Sequence, residues 1–184
     1  MYGMVNLGLA MMVKQEHGDD TWTRVTAAAG YPGLTFVSNE PYDDSISYAL
    51  VGAASRVLGE EPAALLEQFG RYWVVSFADS QYRTLMEAAG SDVRTFLRSL
   101  NNLHVRVGLI FPGFRPPQFE VRDETPEAGS DALRIAYYSE REGLAPFVVG
   151  LLRGVADRFG VQAEVAQVAA KGEDSDHDEF LLTW

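Results

Sequence analysis

A cluster of helix-incompatible residues, Pro112, Gly113, Pro116 and Pro117, divides the chain into two parts with different hydrophobic periods. Before the cluster, apolar residues recur at helical spacing; after it they alternate, as in strands. A chain built this way cannot be a single bundle or a single sheet. Residues 3–17 place Val5, Leu9, Met12 and Val13 at helical spacing and stop at Gly18. Asp20 or Thr21 is placed to cap a second helix, which runs through Trp22 and Val25 to Ala29 and ends at Gly30. Residues 31–42 hold two prolines and Asn39 and read as a loop. Asp43 or Asp44 caps a helix over 45–58, closed by Gly59, and Pro62 opens another through Phe69 toward Phe77. A short helix over 80–88 precedes Gly90. The segment SDVRTFLRSLNNLHVRVG then predicts one continuous helix, with Val93, Phe96, Leu97, Leu100, Leu103, His104 and Val107 on one stripe.

Beyond the prolines, residues 118–122 and 133–137 alternate as strands, joined by the acidic, turn-rich DETPEAGSD, a hairpin loop. Residues 144–159 return to helix, 161–168 and 180–184 read as two further strands, and KGEDSDHDE reads as a solvated loop. The expected class is α+β, a helical N-terminal lobe followed by a four-stranded antiparallel sheet carrying one helix. Its 184 residues suit one domain, with lobes at about 1–60 and 61–184.

Composition narrows the function. The formal charge of −11 repels phosphate backbones and anionic lipids, so neither nucleic acid nor a membrane surface is an expected partner. No stretch reaches the roughly eighteen apolar residues a membrane helix needs. The N-terminus has no basic region or cleavage site and reads as a first helix and not as a signal peptide. There is no cysteine, which removes disulfides, thiolate metal sites and thiol nucleophiles and fits a cytoplasmic location. No phosphate-binding glycine loop, zinc-protease motif or nucleophile elbow is present.

Two constellations carry chemistry. Of three histidines, His17 sits beside a helix-ending glycine and His177 in an acidic loop, both expected to be solvated. His104 lies on the apolar stripe. Position alone favours a core histidine bonded to a carbonyl, yet an imidazole on an apolar helix face is also what a haem iron takes as a proximal ligand. The second constellation is Tyr137, Ser139 and Arg141. On a strand these alternate residues share a face, and a phenol, a hydroxyl and a guanidinium together suit a carboxylate-bearing ligand. The alternative is a polar strand end with an ordinary salt bridge.

In order and spacing, the blocks MYGMVNLGL, DTW, DDSISYALVGAASRVLG, FGRYWV, NNLHVRVGLIFPGFRPPQFE and YYSEREGLAPFVVGLL resemble H-NOX domains. This is the haem nitric oxide/oxygen binding family, which includes the sensory domain of soluble guanylate cyclase. The likeness is to stand-alone bacterial members, cyanobacterial ones included, and covers essentially the whole chain. It implies haem b between the two lobes, His104 as the axial iron ligand, and Tyr137, Ser139 and Arg141 on the propionates. It also implies that Pro117 presses on the porphyrin. Positions matching the gas-binding side are Leu9, Trp73, Leu144, Pro146 and Phe147. They include no tyrosine of the kind oxygen-binding members use, so the resemblance implies nitric oxide and carbon monoxide as ligands, with oxygen excluded. Trp73 is the one candidate donor there, with core packing as its other reading, and Tyr72 takes its place if the helix register differs. Nitric oxide would weaken or break the bond between iron and His104, and a separate signalling protein would read the change. A histidine kinase, a cyclic-dinucleotide enzyme and a chemotaxis receptor are the expected kinds of partner. A haem enzyme acting on nitric oxide or peroxide, and a haem-free interaction module, are the competing readings. The cysteine-based zinc site of some relatives cannot exist here.

Overall fold

The computed structural model describes residues 1–111, 113–124 and 131–184. Pro112 and most of the expected hairpin loop, residues 125–130, lie outside the described residues. The chain divides into two compact units, Met1–Phe69 and Gly70–Trp184.

In the first unit, α1 (Gly3–His17), α2 (Asp19–Ala28) and α3 (Asp44–Leu58) pack on one another. Met12, Val13, Val25, Leu50 and Ala53 are buried, as the helical spacing requires. The capping of α2 differs from expectation: Gly18, at a positive φ of 85° that favours glycine, precedes the helix, and Asp19 and Asp20 lie within its first turn. They act there on the positive helix end instead of as caps. Asp43 does cap α3, accepting from the Ser45 N–H, and Gly59 closes that helix in the left-handed conformation. Inside, the Ser47 hydroxyl donates to Asn6 Oδ1 at 2.7 Å, a buried polar link between α1 and α3.

The second unit is built on a sheet. Among the described residues its strands are β1 (Gln118–Glu124), β2 (Ala132–Tyr138), β3 (Glu164–Ala169) and β4 (Asp178–Thr183), antiparallel in the order β1-β2-β4-β3. The register sets Phe119 opposite Tyr137, Val121 opposite Ile135, Ile135 opposite Phe180 and Leu133 opposite Leu182. These residues form one apolar face, on which Val148, Leu152 and Val155 of α9 (Ala145–Arg158) are buried. The other face is a charged lattice in which Arg134 bridges Glu124 and Glu179. This alternation is the signature the sequence showed.

The helices ahead of the sheet depart from the simple pattern. The helix opened by Pro62, α4 (Pro62–Tyr72), widens into a π-helical segment over Trp73–Ala78 before α5 (Asp79–Gln81) and α6 (Arg83–Glu87). The expected single helix over 91–108 is two: α7 (Val93–Arg98) and α8 (Leu100–Gly108). The break falls at Ser99, whose hydroxyl donates to the carbonyls of Phe96 and Ala89 and so competes with the helical ladder.

Candidate functional site

His104 sits at the middle of α8, and its ring is enclosed by aromatic side chains. The Phe119 ring lies nearly parallel to it, 5.8 Å between centroids and 7° between planes, and Phe114 stands 6.1 Å away. Phe119 in turn packs on Tyr137 at 5.4 Å. This wall withholds water. Desolvation lowers the His104 pKa from 6.5 to about 4, against a small opposing pull from the Leu100 carbonyl. That carbonyl does not complete a hydrogen bond, however: Nδ1 is buried and has no partner. The core-histidine reading requires such a bond, because an unmet buried donor or acceptor costs about 1–3 kcal/mol. His104 is therefore a half-buried imidazole that desolvation keeps neutral and whose Nδ1 has no hydrogen-bond partner.

The pKa has a consequence for stability. Between pH 6.5 and 4 the unfolded chain takes up a proton that folded His104 refuses, so stability falls as pH falls through that window. For haem-free protein the loss attributable to His104 is expected to be on the order of 3 kcal/mol. Urea denaturation at pH 7 and pH 4.5, compared between wild type and His104→Leu, measures it. His177 is shifted the other way, raised chiefly by its hydrogen bond with Asp176, and is common to both proteins.

The Tyr137, Ser139 and Arg141 set is assembled differently from the strand reading. Tyr137 is buried in β2, but β2 ends at Tyr138, so Ser139 and Arg141 lie in the turn beyond it. They converge because the Arg141 N–H donates to Ser139 Oγ at 3.1 Å. Arg141 Nη1 reaches the Arg115 carbonyl at 3.3 Å, which brings the segment leading into Pro116 and Pro117 to the same turn. Lys171 Nζ donates to the Ser139 carbonyl at 2.7 Å. Arg141 and Lys171 thus bring two cationic side chains to one turn, while the Arg115 guanidinium pairs with Glu140 of that turn. Sequence reasoning missed Arg115 and Lys171, because neither lies in the motif. It also missed Asn101, one turn before His104, whose side-chain amide bonds both main-chain groups of Phe119.

The residues expected on the gas-binding side are distributed over both units. Leu9 is buried in α1 of the first. In the second, Trp73 opens the π-helical segment and stacks on Phe77, 4.6 Å between centroids, so it does pack in the core. π-helical turns are frequent at functional sites. Leu144 precedes α9 and Phe147 lies in its first turn; both are partly buried. Tyr72 is buried beside Trp73. His177, expected in a solvated loop, is instead partly buried, between Asp176 and Glu179 and against the Tyr138 ring at 4.6 Å. No group of three potential metal-ligating His, Cys, Asp or Glu side chains occurs among the described residues, so a metal held by side chains alone has no candidate there.

The chain carries a helical first unit and a second unit built on a four-stranded sheet, with the His104 imidazole of α8 packed against Phe119. The chain matches the Haem-NO-binding family over residues 2–167 and belongs to it, a family of haem-binding gas-sensor domains. Soluble guanylate cyclase gcy-31 of Caenorhabditis elegans is 26% identical over 165 residues, which are 90% of this chain and 23% of that protein. Soluble guanylate cyclase 89Db of Drosophila melanogaster is 26% identical over 86% of this chain and 23% of that protein. The chain thus spans about a quarter of the length of these relatives. Among solved structures, an H-NOX protein from S. oneidensis in the Fe(II)NO ligation state superposes with a TM-score of 0.82 at 19% identity, covering 99% of this chain and 98% of that one. Unliganded Fe(II) H-NOX from K. algicida gives 0.78 at 24% identity, covering 99% and 95%. The fold is that of H-NOX structures. No helix among the described residues is long and apolar enough to cross a membrane.

The residues present fit a haem. The His104 imidazole would supply the iron donor, and the Ser139–Arg141 turn with Lys171 beside it would meet the propionates.

Proposed function

We propose that this chain is a nitric oxide and carbon monoxide sensor that holds haem b through His104 and reports to a separate signalling protein. The observation that carries this is the state of His104: neutral, desolvated and without a hydrogen bond at Nδ1, in a chain of the Haem-NO-binding family. The haem iron, when bound, supplies the open coordination position at which a diatomic gas binds. The protein does the rest. His104 donates its neutral nitrogen, and Phe114 and Phe119 keep the ring dry and fixed in plane. Tyr137, Ser139 and Arg141 would hold the propionates, with Lys171 adding positive charge to the same turn. Pro117, partly buried two residues before Phe119, is the residue that would press on the porphyrin.

The positions that the family resemblance assigns to the gas side, Leu144 and Phe147 of the second unit and Leu9 of the first, are apolar in sequence, and residues 142–150 contain no tyrosine to donate to bound oxygen. That favours nitric oxide and carbon monoxide over oxygen, with the Trp73 indole as the one donor nearby in sequence pattern. With haem bound, His104 would tie α8 to the iron, so that a gas weakening that tie would act on the position of α8, which a histidine kinase, a cyclic-dinucleotide enzyme or a chemotaxis receptor would read. The domain is cytoplasmic in this reading and has no reaction of its own. Visible spectra test it: the ferrous Soret band should shift with nitric oxide and with carbon monoxide and stay unchanged in air over minutes. A stable oxygen complex would overturn the selectivity, and a folded, colourless protein indifferent to added haemin would overturn the function. Arg141→Ala should speed haem loss to apomyoglobin roughly tenfold or more, the scale of truncating one partner of a charge pair that is partly exposed.

A further inference from the structure

Asn101 treats β1 as a neighbouring strand would. Its Nδ2 donates to the Phe119 carbonyl at 2.8 Å, and the Phe119 N–H donates to its Oδ1 at 2.9 Å. β1 is an edge strand, with main-chain groups on its outer side that need partners. A primary amide offers one donor and one acceptor side by side, which is the pair an edge residue presents. Three residues further along α8, on the same helix face, the His104 ring lies parallel to the ring of that same Phe119. One residue of β1 therefore holds α8 twice, by its main chain through Asn101 and by its side chain through His104.

We propose that Asn101 is a positioning residue that clamps α8 to β1 and thereby limits how far His104 can travel from the haem iron. The inference rests on the haem reading above, but the clamp itself does not need haem to be measured. With the clamp intact, a His104 that leaves the iron stays within reach of it and rebinds. With the clamp gone, α8 is tied to β1 by ring stacking and apolar packing, and His104 departs more readily. Ser99, two residues before Asn101, marks the boundary between α7 and α8, so the clamp acts on a helix of nine residues.

The test compares wild type with Asn101→Ala, which removes both hydrogen bonds, and Asn101→Asp, which keeps the acceptor and turns a carboxylate toward the Phe119 carbonyl. Residue-resolved hydrogen–deuterium exchange should show the Phe119 amide exchanging on the order of tenfold faster in Asn101→Ala. The β1 amides paired with β2 should stay unchanged. On rapid mixing of the ferrous haem protein with nitric oxide, conversion of the six-coordinate to the five-coordinate spectrum should be on the order of tenfold faster in both variants. A wild type that stays six-coordinate, beside variants that convert, supports the clamp equally. Unchanged Phe119 exchange, or identical coordination behaviour in all three proteins, would overturn it. A wild type with no haem spectrum would strike the haem reading instead and leave Phe119 exchange to decide the clamp.

Discussion

His104→Gly should purify without haem, and millimolar imidazole should restore a haem spectrum. The substitution removes the one imidazole of α8 and leaves a space shaped for the lost ring, bounded by Phe114 and Phe119. Altering a residue that merely orients a metal ligand typically costs 10- to 100-fold in metal affinity, so loss of the ligand itself should exceed roughly 100-fold. Rescue by free imidazole separates loss of coordination from collapse of the fold. The haem-free variant should also hold its stability better than the haem-free wild type at acid pH, since it no longer buries a base. Equal haem retention by wild type and variant would mean that another group binds the iron.

Gly70→Ala should be the most destabilising single methyl addition in the second unit. A Cβ at Gly70 would lie 2.1 Å from the Phe147 carbonyl oxygen and 2.8 Å from the Leu151 nitrogen, both main-chain atoms of α9. Gly154 answers from the other side, where a Cβ would lie 3.0 Å from the Arg71 carbonyl oxygen and 2.9 Å from Val74 Cβ. The two glycines let the end of α4 and the π-helical segment approach α9 closely, and Trp73 and Phe147 ride on these elements. Main-chain atoms of packed helices cannot step aside without moving a helix. The expected cost for Gly70→Ala is about 3 kcal/mol, the upper end for overpacking, or about 10 °C in Tm for a chain of this size. Gly52→Ala is the contrasting control. Its Cβ meets nothing nearer than the Arg56 guanidinium at 3.6 Å within α3, so the better helix former should raise stability by up to about 1 kcal/mol. Thermal denaturation followed by circular dichroism reads both variants, and an unchanged Tm for Gly70→Ala would refute the close packing.

How much of this the sequence carries depends on the range over which each feature is encoded. The helices of the first unit and the inward face of the sheet are written in local periods, so residues such as Val13, Val25, Leu133 and Ile135 were legible as core. His104 and the Tyr137–Arg141 motif were legible as candidate site residues, although the strand reading misjudged how Ser139 and Arg141 come together. A turn held by the Arg141 N–H and Ser139 Oγ has no period to read. The break at Ser99 was hidden for a related reason, because the apolar stripe runs straight across it and only the serine's bonds to Ala89 and Phe96 interrupt the ladder. Widening at Trp73 into a π-helix leaves the hydrophobic pattern almost unchanged. Asn101 was invisible because its partner is the main chain of a strand 18 residues away, and main-chain groups leave no mark on a sequence. Only the aromatic wall could have been suspected, from Phe114 and Phe119 flanking the Pro116–Pro117 pair.

The central claim is that iron is bound by His104. Resonance Raman spectroscopy of the ferrous protein tests it most directly. An iron–histidine stretching band that shifts on labelling with 15N-histidine, and is absent from His104→Gly reconstituted without imidazole, is the result expected. A haem protein lacking that isotope-sensitive band, or one that keeps it unchanged in His104→Gly, would contradict the account.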